Sequence, residues 1–257
     1  MSDFTPTPER QKQIHSLLER QGRLSVAEIV EQFEISEATA RRDLESLASQ
    51  GKAQRVHGGV IAVEQAPPEL PILQREGEQT EEKSSIGRAA ADLIADGETV
   101  FLGSGTTVLE AAKHLRERKN LTVVTNSLPV LNALASAKDI TVVSLGGQLR
   151  ESELSFIGHI TEQALAELRV DKVLMGTRGI SLKHGLTNDY LPETQTDRAI
   201  LKIGRQLIII ADHSKVNRVS TALLAPLKAV HTFVTDSRAD KKFLQALKKL
   251  GIEVIIA

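Results

Sequence analysis

The chain has 257 residues, 41% of them hydrophobic and 25% charged, which is enough to bury a core in one large domain or in a small domain followed by a medium one. The absence of cysteine removes disulfides, thiolate metal sites and cysteine nucleophiles together, no apolar run approaches the roughly 18 residues of a membrane span, and the N-terminal "MSDFTPTPERQKQ" lacks the apolar core of a secretion signal, so a soluble, cytoplasmic protein is expected. With 3% aromatics, no Trp and only Tyr190, an aromatic platform for single-stranded nucleic acid is excluded, and the net charge of -1 points to no partner by itself.

The N-terminal pattern is helical. Thr7 and Pro8 form a cap and a first helical residue, Ile14, Leu17 and Leu18 fall on one face, and a first helix ends near Gly22. Ser25 with Glu28 makes a capping box for a short second helix, with Val26, Ile29, Val30 and Phe33 at helical spacing. A third helix starts at a Ser36 cap, turns Ala40, Leu44 and Leu47 inward and Ala38, Arg41, Arg42 and Glu45 outward, and stops at Gly51. "KAQRVHGGVIAV" then alternates, turns at Gly58-Gly59 and presents Lys52, Arg55 and His57 as a wing.

Three short helices with tight turns, small and basic residues on the last and a glycine-tipped hairpin after it are the arrangement of a winged helix-turn-helix, a reader of double-stranded DNA. Overall charge does not carry this expectation, because residues 1–62 hold 8 Lys and Arg against 9 Asp and Glu. The positive charge is local: 38–62 holds Arg41, Arg42, Lys52 and Arg55 against Asp43 and Glu45. The arginine pair alone is equally explained as a solvated helix face.

"AVEQAPPELPILQREGEQTEEK", with Pro67, Pro68 and Pro71, reads as a linker. The predicted organisation is a DNA-binding domain over 1–62, a linker over 63–80 and an α/β domain over 81–257. In the last, "ETVFLG", "LTVVTN", "ITVVSLGG", "DKVLMG", "QLIIIAD", "AVHTFVTD" and "IEVIIA" are short β-branched runs with helical patterns between most of them, which predicts a mostly parallel sheet covered by helices.

In such a sheet, ligands collect at the carboxyl ends of the strands. Five successive strand ends carry glycines, small hydroxyls or a cation: Gly103-Ser104-Gly105-Thr106-Thr107; Thr125-Asn126-Ser127; Gly146-Gly147 with Arg150; Gly176-Thr177-Arg178-Gly179; and Asp212-His213-Ser214-Lys215. Glycine lets backbone approach closely, hydroxyls and helix N-terminal amides bind anionic oxygens, and a cation supplies counter-charge. Each loop alone has a structural explanation, since Thr107 with Glu110 is a capping box and Ser127 an N-cap before Pro129. Their convergence on one rim predicts a small phosphorylated ligand.

The segments "VAEIVEQFEISEATARRDLESLASQGKAQRVHGGV", "GSGTT", "VVTNS", "LGGQLR", "GLTNDY" and "ADHSK" resemble the DeoR family of bacterial transcription regulators across nearly the whole chain. The resemblance implies a winged helix-turn-helix joined to a sensor related in fold to sugar-phosphate isomerases. It also implies a homo-oligomeric repressor whose operator affinity is changed by a phosphorylated sugar or polyol. By position, Ser36, Glu37, Thr39, Arg41 and Arg42 fall in the family's recognition helix, Arg55 and His57 in its wing, and the rim loops at its effector pocket. Two positions depart from the pattern: Gly103-Ser104 stands where many members have an acidic and a small residue, and Arg178 where a small, amide or acidic residue is usual. Arg178 would suit an extra anionic group on the effector.

The alternative is an isomerase-like enzyme with an accessory DNA-binding domain. Proton transfer would need a carboxylate poised over the sugar. The loop after "DKVLMG", where the isomerases carry acids, offers Thr177, Arg178 and Ser181. Glu153, Asp189 and Glu193 lie elsewhere and also read as solvated loop or helix-start acids. The seven histidines show no close pairing that would make a metal site, so no cofactor and no catalysis are expected.

Overall fold

The computed structural model describes residues 7–49, 52–56, 58–62, 66 and 70–257, which form two compact units dividing between Pro67 and Pro68, inside the segment expected to link them. Of the residues named above, Gly51, His57, Pro67 and Pro68 lie outside the described residues.

The first unit runs α1 (Thr7–Gln21), β1 (Arg23–Ser25), α2 (Val26–Phe33), α3 (Glu37–Ser49), β2 (Ala53–Val56) and β3 (Gly59–Ala62). Its core gathers one face of each helix, with Ile14 and Leu18, Ile29, and Ala40, Leu44 and Leu47 packed with Leu24 and Val60. The capping box is present: Ser25 Oγ accepts the Glu28 N–H at 3.1 Å while Glu28 Oε2 accepts the Ser25 N–H at 2.7 Å. Asp43 falls on the inward face of α3, where its carboxylate takes a 2.7 Å ion pair from Arg10 and a 2.9 Å hydrogen bond from Gln11. This polar clamp between α1 and α3 is buried on both sides.

The wing is a three-stranded antiparallel sheet in the order β1-β3-β2. Its reversal differs from the Gly58-Gly59 turn read from the glycine pair. Val56 pairs with Gly59, so Gly59 is already a strand residue. A Cβ there would stand 2.1 Å from Leu24 O, and the glycine serves the close crossing of β1 rather than the turn.

The second unit contains α4 (Ile72–Arg75), α5 (Thr80–Ala91), β4 (Thr99–Leu102), α6 (Thr106–Leu115), β5 (Leu121–Thr125), α7 (Leu128–Leu134) and β6 (Ile140–Ser144). It continues through β7 (Gln148–Arg150), β8 (Ser155–Ile157), α8 (His159–Ala166), β9 (Val170–Met175), β10 (Gly179–Ser181), β11 (Gly185–Asn188) and α9 (Leu191–Leu201). It closes with β12 (Gly204–Ile210), β13 (Ala222–Ala225), β14 (Thr232–Thr235), α10 (Lys241–Lys249) and β15 (Glu253–Ile256). All seven strands expected from β-branched runs join one parallel sheet in the order β15-β14-β12-β9-β4-β5-β6.

Strand alternation divides the core in two. Phe101, Val124, Val173, Met175, Ile209 and Phe233 face α8, α9, α10 and the small strands. Val100, Leu102, Val123, Leu174, Ile208, Ile210 and Val234 face α5, α6 and α7. Each fully buried side chain of this size contributes about 1.5–3 kcal/mol, so both faces are held firmly and the loops at the strand ends inherit fixed positions.

Candidate functional site

The DNA-reading candidates of the first unit stand on α3 and β2. Ser36, Glu37, Ala38, Arg41 and Arg42 are exposed and Thr39 half-buried, while Lys52 and Arg55 are exposed just before and within β2, which packs against α3. Ser36 works as the cap, its Oγ accepting the Thr39 N–H at 3.2 Å and meeting Thr39 Oγ1 at 2.9 Å. Arg41 pairs with Glu37 one turn back at 2.6 Å, both side chains more than half exposed. Such a pair is worth about 0.3–0.5 kcal/mol and gives way readily to a phosphate. Among the described residues no carboxylate lies within ion-pair distance of Arg42. With Asp43 turned into the core, the exposed face of α3 is less acidic than the sequence count implied.

In the second unit, the five loops follow β12, β9, β4, β5 and β6, which are consecutive neighbours in the sheet. Strand order reverses between β4 and β9, because β5 and β6 extend one way and β12, β14 and β15 the other. That switch point opens a crevice at the strand carboxyl ends. It is flanked by Gly103–Thr107 and Gly176–Gly179, joined by the Gly103 N–H to Leu174 O hydrogen bond at 3.0 Å.

Gly105 takes φ 112°, a value L side chains rarely adopt, and starts α6 with no side-chain cap. Thr107 and Glu110 therefore do not make the capping box read from their spacing; Glu110 instead accepts from Lys113 at 2.6 Å. The first-turn N–H groups face the crevice end, where an anion is favoured by both hydrogen bonding and the helix dipole. Among the described residues, no hydrogen bond engages the hydroxyls of Ser104, Thr106 or Thr107, and Thr106 is buried.

The next loops are more committed to structure. Thr125 Oγ1 donates to Leu102 O at 2.7 Å, and Ser127 Oγ caps α7 by accepting the Val130 N–H at 3.4 Å. Asn126 donates to Phe156 O at 2.9 Å, and its buried Oδ1 has no hydrogen-bond partner among the described residues. Gly146 O accepts from Thr161 at 2.7 Å, and Gly147 packs against the same side chain.

Arg150, at the end of β7, reaches the start of α9. It pairs with Glu193, lies 3.9 Å from Asp189, and stacks 4.6 Å over the Tyr190 ring. Arg178 is buried, with Nε 3.8 Å from Asp189 and its N–H donating to Asn188 Oδ1 at 3.3 Å. Asn188 in turn donates to Asp197 at 2.7 Å. Burial and the charge of Glu193 push the Asp197 carboxyl well above the usual carboxylate range, against the pull of Arg150 and Asn188. Glu153 takes a 2.5 Å ion pair from Arg75.

Glu153 and Glu193 are buried against arginines rather than solvated, and Glu193 stands in the first turn of α9, as a helix-start acid does. Arg178 faces Asp189 inside the chain, an aspartate that Arg150 also approaches.

At the end of β12, Lys215 is half-buried in a short 3-10 turn. His213 in the same turn lies 3.0 Å from Asp236 at the end of β14. Lys83, which the sequence reading passed over, is buried at the N-terminal end of α5 and within electrostatic reach of Asp212 and Lys215. The signal for it was present: Lys83, Ile86, Gly87 and Ala90 share one helical face, and the other three belong to the apolar stripe.

A cleft of about 650 Å³ between Lys113 and Asp139 lies toward the far end of α6 and holds none of the rim loops. Among the described residues, no helix is long and apolar enough to cross a membrane.

Two domain families match the chain. The DeoR-like helix-turn-helix domain matches residues 10–66, and the DeoR C-terminal sensor domain matches residues 78–237. The chain is 36% identical over 235 residues to the transcriptional repressor AccR of Agrobacterium fabrum, covering 91% of each chain. It is 34% identical over 246 residues to the glycerol-3-phosphate regulon repressor of Escherichia coli, covering 96% of this chain and 97% of that one. Among solved structures, ribose 5-phosphate isomerase A of Neisseria gonorrhoeae superposes with a TM-score of 0.41 at 19% identity over 54% of each chain.

Proposed function

The chain belongs to the DeoR family of transcriptional regulators, a DNA-binding regulator and not an enzyme, and from that premise we propose that it represses a sugar or polyol catabolic operon and leaves its operator when one phosphorylated metabolite fills the rim. It does so in the cytoplasm as a homo-oligomer, each helix-turn-helix taking one half-site, with half-sites about 34–36 Å apart for successive turns of the duplex.

The observation that carries this reading is the switch-point crevice, with the uncapped first turn of α6 and the unengaged hydroxyls of Ser104, Thr106 and Thr107 at the end of β4, and Lys215 on the same rim two strands away at the end of β12. That combination suits phosphate oxygens. Gly103, Gly105, Gly146, Gly176 and Gly179 let the backbone come close to the ligand. Asn126 offers it a buried acceptor suited to a hydroxyl, and Arg150, Tyr190 and Arg178 shape the sugar end as an internally neutralised wall.

On the DNA side, Ser36, Ala38, Thr39, Arg41 and Arg42 enter the major groove. Glu37 tethers Arg41 until DNA replaces it, and Lys52, Arg55 and His57 hold flanking phosphates. The effector acts by population shift, favouring a placement of the DNA-binding units that no longer matches the half-site spacing.

Deleting the gene in its host tests the repressor reading. Transcripts of the controlled operon rise in its absence, and levels that fall or stay unchanged would refute it.

A further inference from the structure

Strand β6 forms one edge of the parallel sheet, with β5 on its inner side. Its ladder opens with the Leu121 N–H donating to Asp139 O at 3.2 Å and closes with the Leu145 N–H donating to Thr125 O at 2.8 Å. Backbone groups of successive residues point alternately to the two sides of a strand. Thr141 and Val143 therefore bond to β5, while the N–H and C=O groups of Ile140, Val142 and Ser144 point away from the sheet. Among the described residues, no hydrogen bond engages those outward groups.

Natural sheets guard such edges with charges, prolines, bulges or a covering element. β6 reads Ile140-Thr141-Val142-Val143-Ser144, without charge or proline, and its register with β5 runs without a bulge. Thr141, Val143 and Ser144 are exposed. The opposite edge, β15, carries the exposed Glu253. The neutrality extends beyond the strand: from Thr122 to Leu149 only the neighbours Lys138 and Asp139 are charged, in a chain that is 25% charged. This stretch takes in most of β5 and all of α7 and β6, and its exposed positions include Asn132, Ala135, Ser136, Val143 and Leu149. Packing the core does not require exposed positions to be neutral, whereas the centre of a protein interface is depleted of charge.

We propose that β6 pairs antiparallel with β6 of a second copy of this chain, about a two-fold axis through Val142. Val142 then faces the partner's Val142 as a hydrogen-bonded pair, and Ile140 faces the partner's Ser144 on either side. Every outward N–H and C=O of both strands is thereby matched, and the open edge of each copy is closed. Thr141 and the partner's Val143 meet between these pairs, a cross-strand contact that covers the exposed valine. Lys138 and Asp139 fall beyond the last pair, where a polar rim belongs. A strand without charges has nothing with which to select a foreign strand, and its own copy satisfies it completely. The proposal rests on the homo-oligomer reading above and names the surface that serves it.

The test uses the full chain. Val142→Pro removes the N–H at the two-fold axis and leaves the bonds of Thr141 and Val143 to β5 in place, as an edge strand tolerates. In sedimentation velocity over a concentration series, this variant associates about tenfold more weakly than wild type or worse, as expected when two hydrogen bonds at the centre of the seam are lost. A folded Val142→Pro chain that associates as tightly as wild type would overturn the proposal.

Should that variant not fold, crosslinking decides. The chain has no cysteine, so Val142→Cys carries a single thiol. A hydrogen-bonded antiparallel pair sets the two Cα atoms about 5.5 Å apart, within reach of a disulfide. Oxidation yields covalent dimers of Val142→Cys and leaves Leu250→Cys, an exposed position between α10 and β15, monomeric on a denaturing gel. Absence of the Val142→Cys dimer in a chain that still self-associates would overturn the β6 seam and leave the homo-oligomer reading standing. A wild-type chain that is monomeric at every concentration would overturn both.

Discussion

Arg75 and Glu153 meet inside the sensor unit, with a guanidinium nitrogen 2.5 Å from both carboxylate oxygens. Arg75 also donates from Nε to Leu70 O at 2.8 Å, and the Ile72 N–H donates to Ser152 O at 2.7 Å. The chain is thus clamped, soon after it enters this unit, to the turn of the β7–β8 hairpin, and that hairpin carries Arg150 to the rim. The anchor of the entering segment and the rim arginine Arg150 thus stand on one hairpin.

Removing one partner of this pair strands the other charge in the interior. Arg75→Ala is expected to cost about 3 kcal/mol, which lowers Tm by roughly 6–12 °C for a unit of this size. The double variant Arg75→Leu with Glu153→Leu costs less than the single one. A single variant melting with the wild type in calorimetry would show that the pair contributes nothing.

Arg42 is the arginine of α3 with no ion pair among the described residues, whereas Arg41 is held by Glu37. Arg42→Ala is expected to weaken operator binding by about 1–3 kcal/mol if it reads a base, or to reduce the salt slope by about one if it holds a phosphate. Anisotropy titrations at several salt concentrations separate the two. An unchanged affinity with an unchanged slope removes Arg42 from the interface.

Lys215→Ala raises the effector concentration needed for half-maximal operator release by at least tenfold, the loss expected for one charge-assisted contact to a phosphate. A dose-response curve superimposing on the wild type would exclude Lys215 from the pocket.

The parallel sheet was legible because its seven strands are apolar runs rich in β-branched residues, the central ones buried on both faces, as "VLM" of β9 and "LIII" of β12 illustrate. β1, β7, β8, β10, β11 and β13 escaped because three- and four-residue strands such as Arg23–Ser25 and Gly185–Asn188 are too short to show a period and owe their form to the neighbours they cross. The rim loops were found from strand-end composition, but not how their charges are distributed. That Arg178 and Arg150 are matched by Asp189 and Glu193 depends on bringing β7, the loop after β9 and the start of α9 together, which spacing along the chain does not encode. Asp43 and Lys83 lie on the apolar faces of their helices, where a count of charges along the chain does not separate them from solvated residues.

His213 and Asp236 couple the rim to pH. Burial disfavours the imidazolium, but the hydrogen bond and charge of Asp236 outweigh it and raise the His213 pKa above its ordinary 6.5. Burial likewise works against the Asp236 carboxylate, yet hydrogen bonds from His213 and Arg238 lower its pKa below the ordinary 3.8. The histidine's contribution is full below about pH 6.5 and lost as pH rises through its raised folded value; the aspartate's is full above about pH 3.8 and lost as pH falls through its lowered one. The Tm gap between wild type and His213→Gln should therefore shrink between about pH 6 and pH 9. A gap that widens with pH contradicts the pairing.

The most direct measurement of the central claim is fluorescence anisotropy of the purified chain on a labelled duplex from upstream of its own gene, at fixed salt, titrated with a panel of sugar and polyol phosphates and their unphosphorylated counterparts. Tight, sequence-dependent binding released by one phosphate monoester, and not by its dephosphorylated form, is the predicted result. Sequence-dependent binding that no member of the panel releases, or that the unphosphorylated sugar releases equally well, would contradict it.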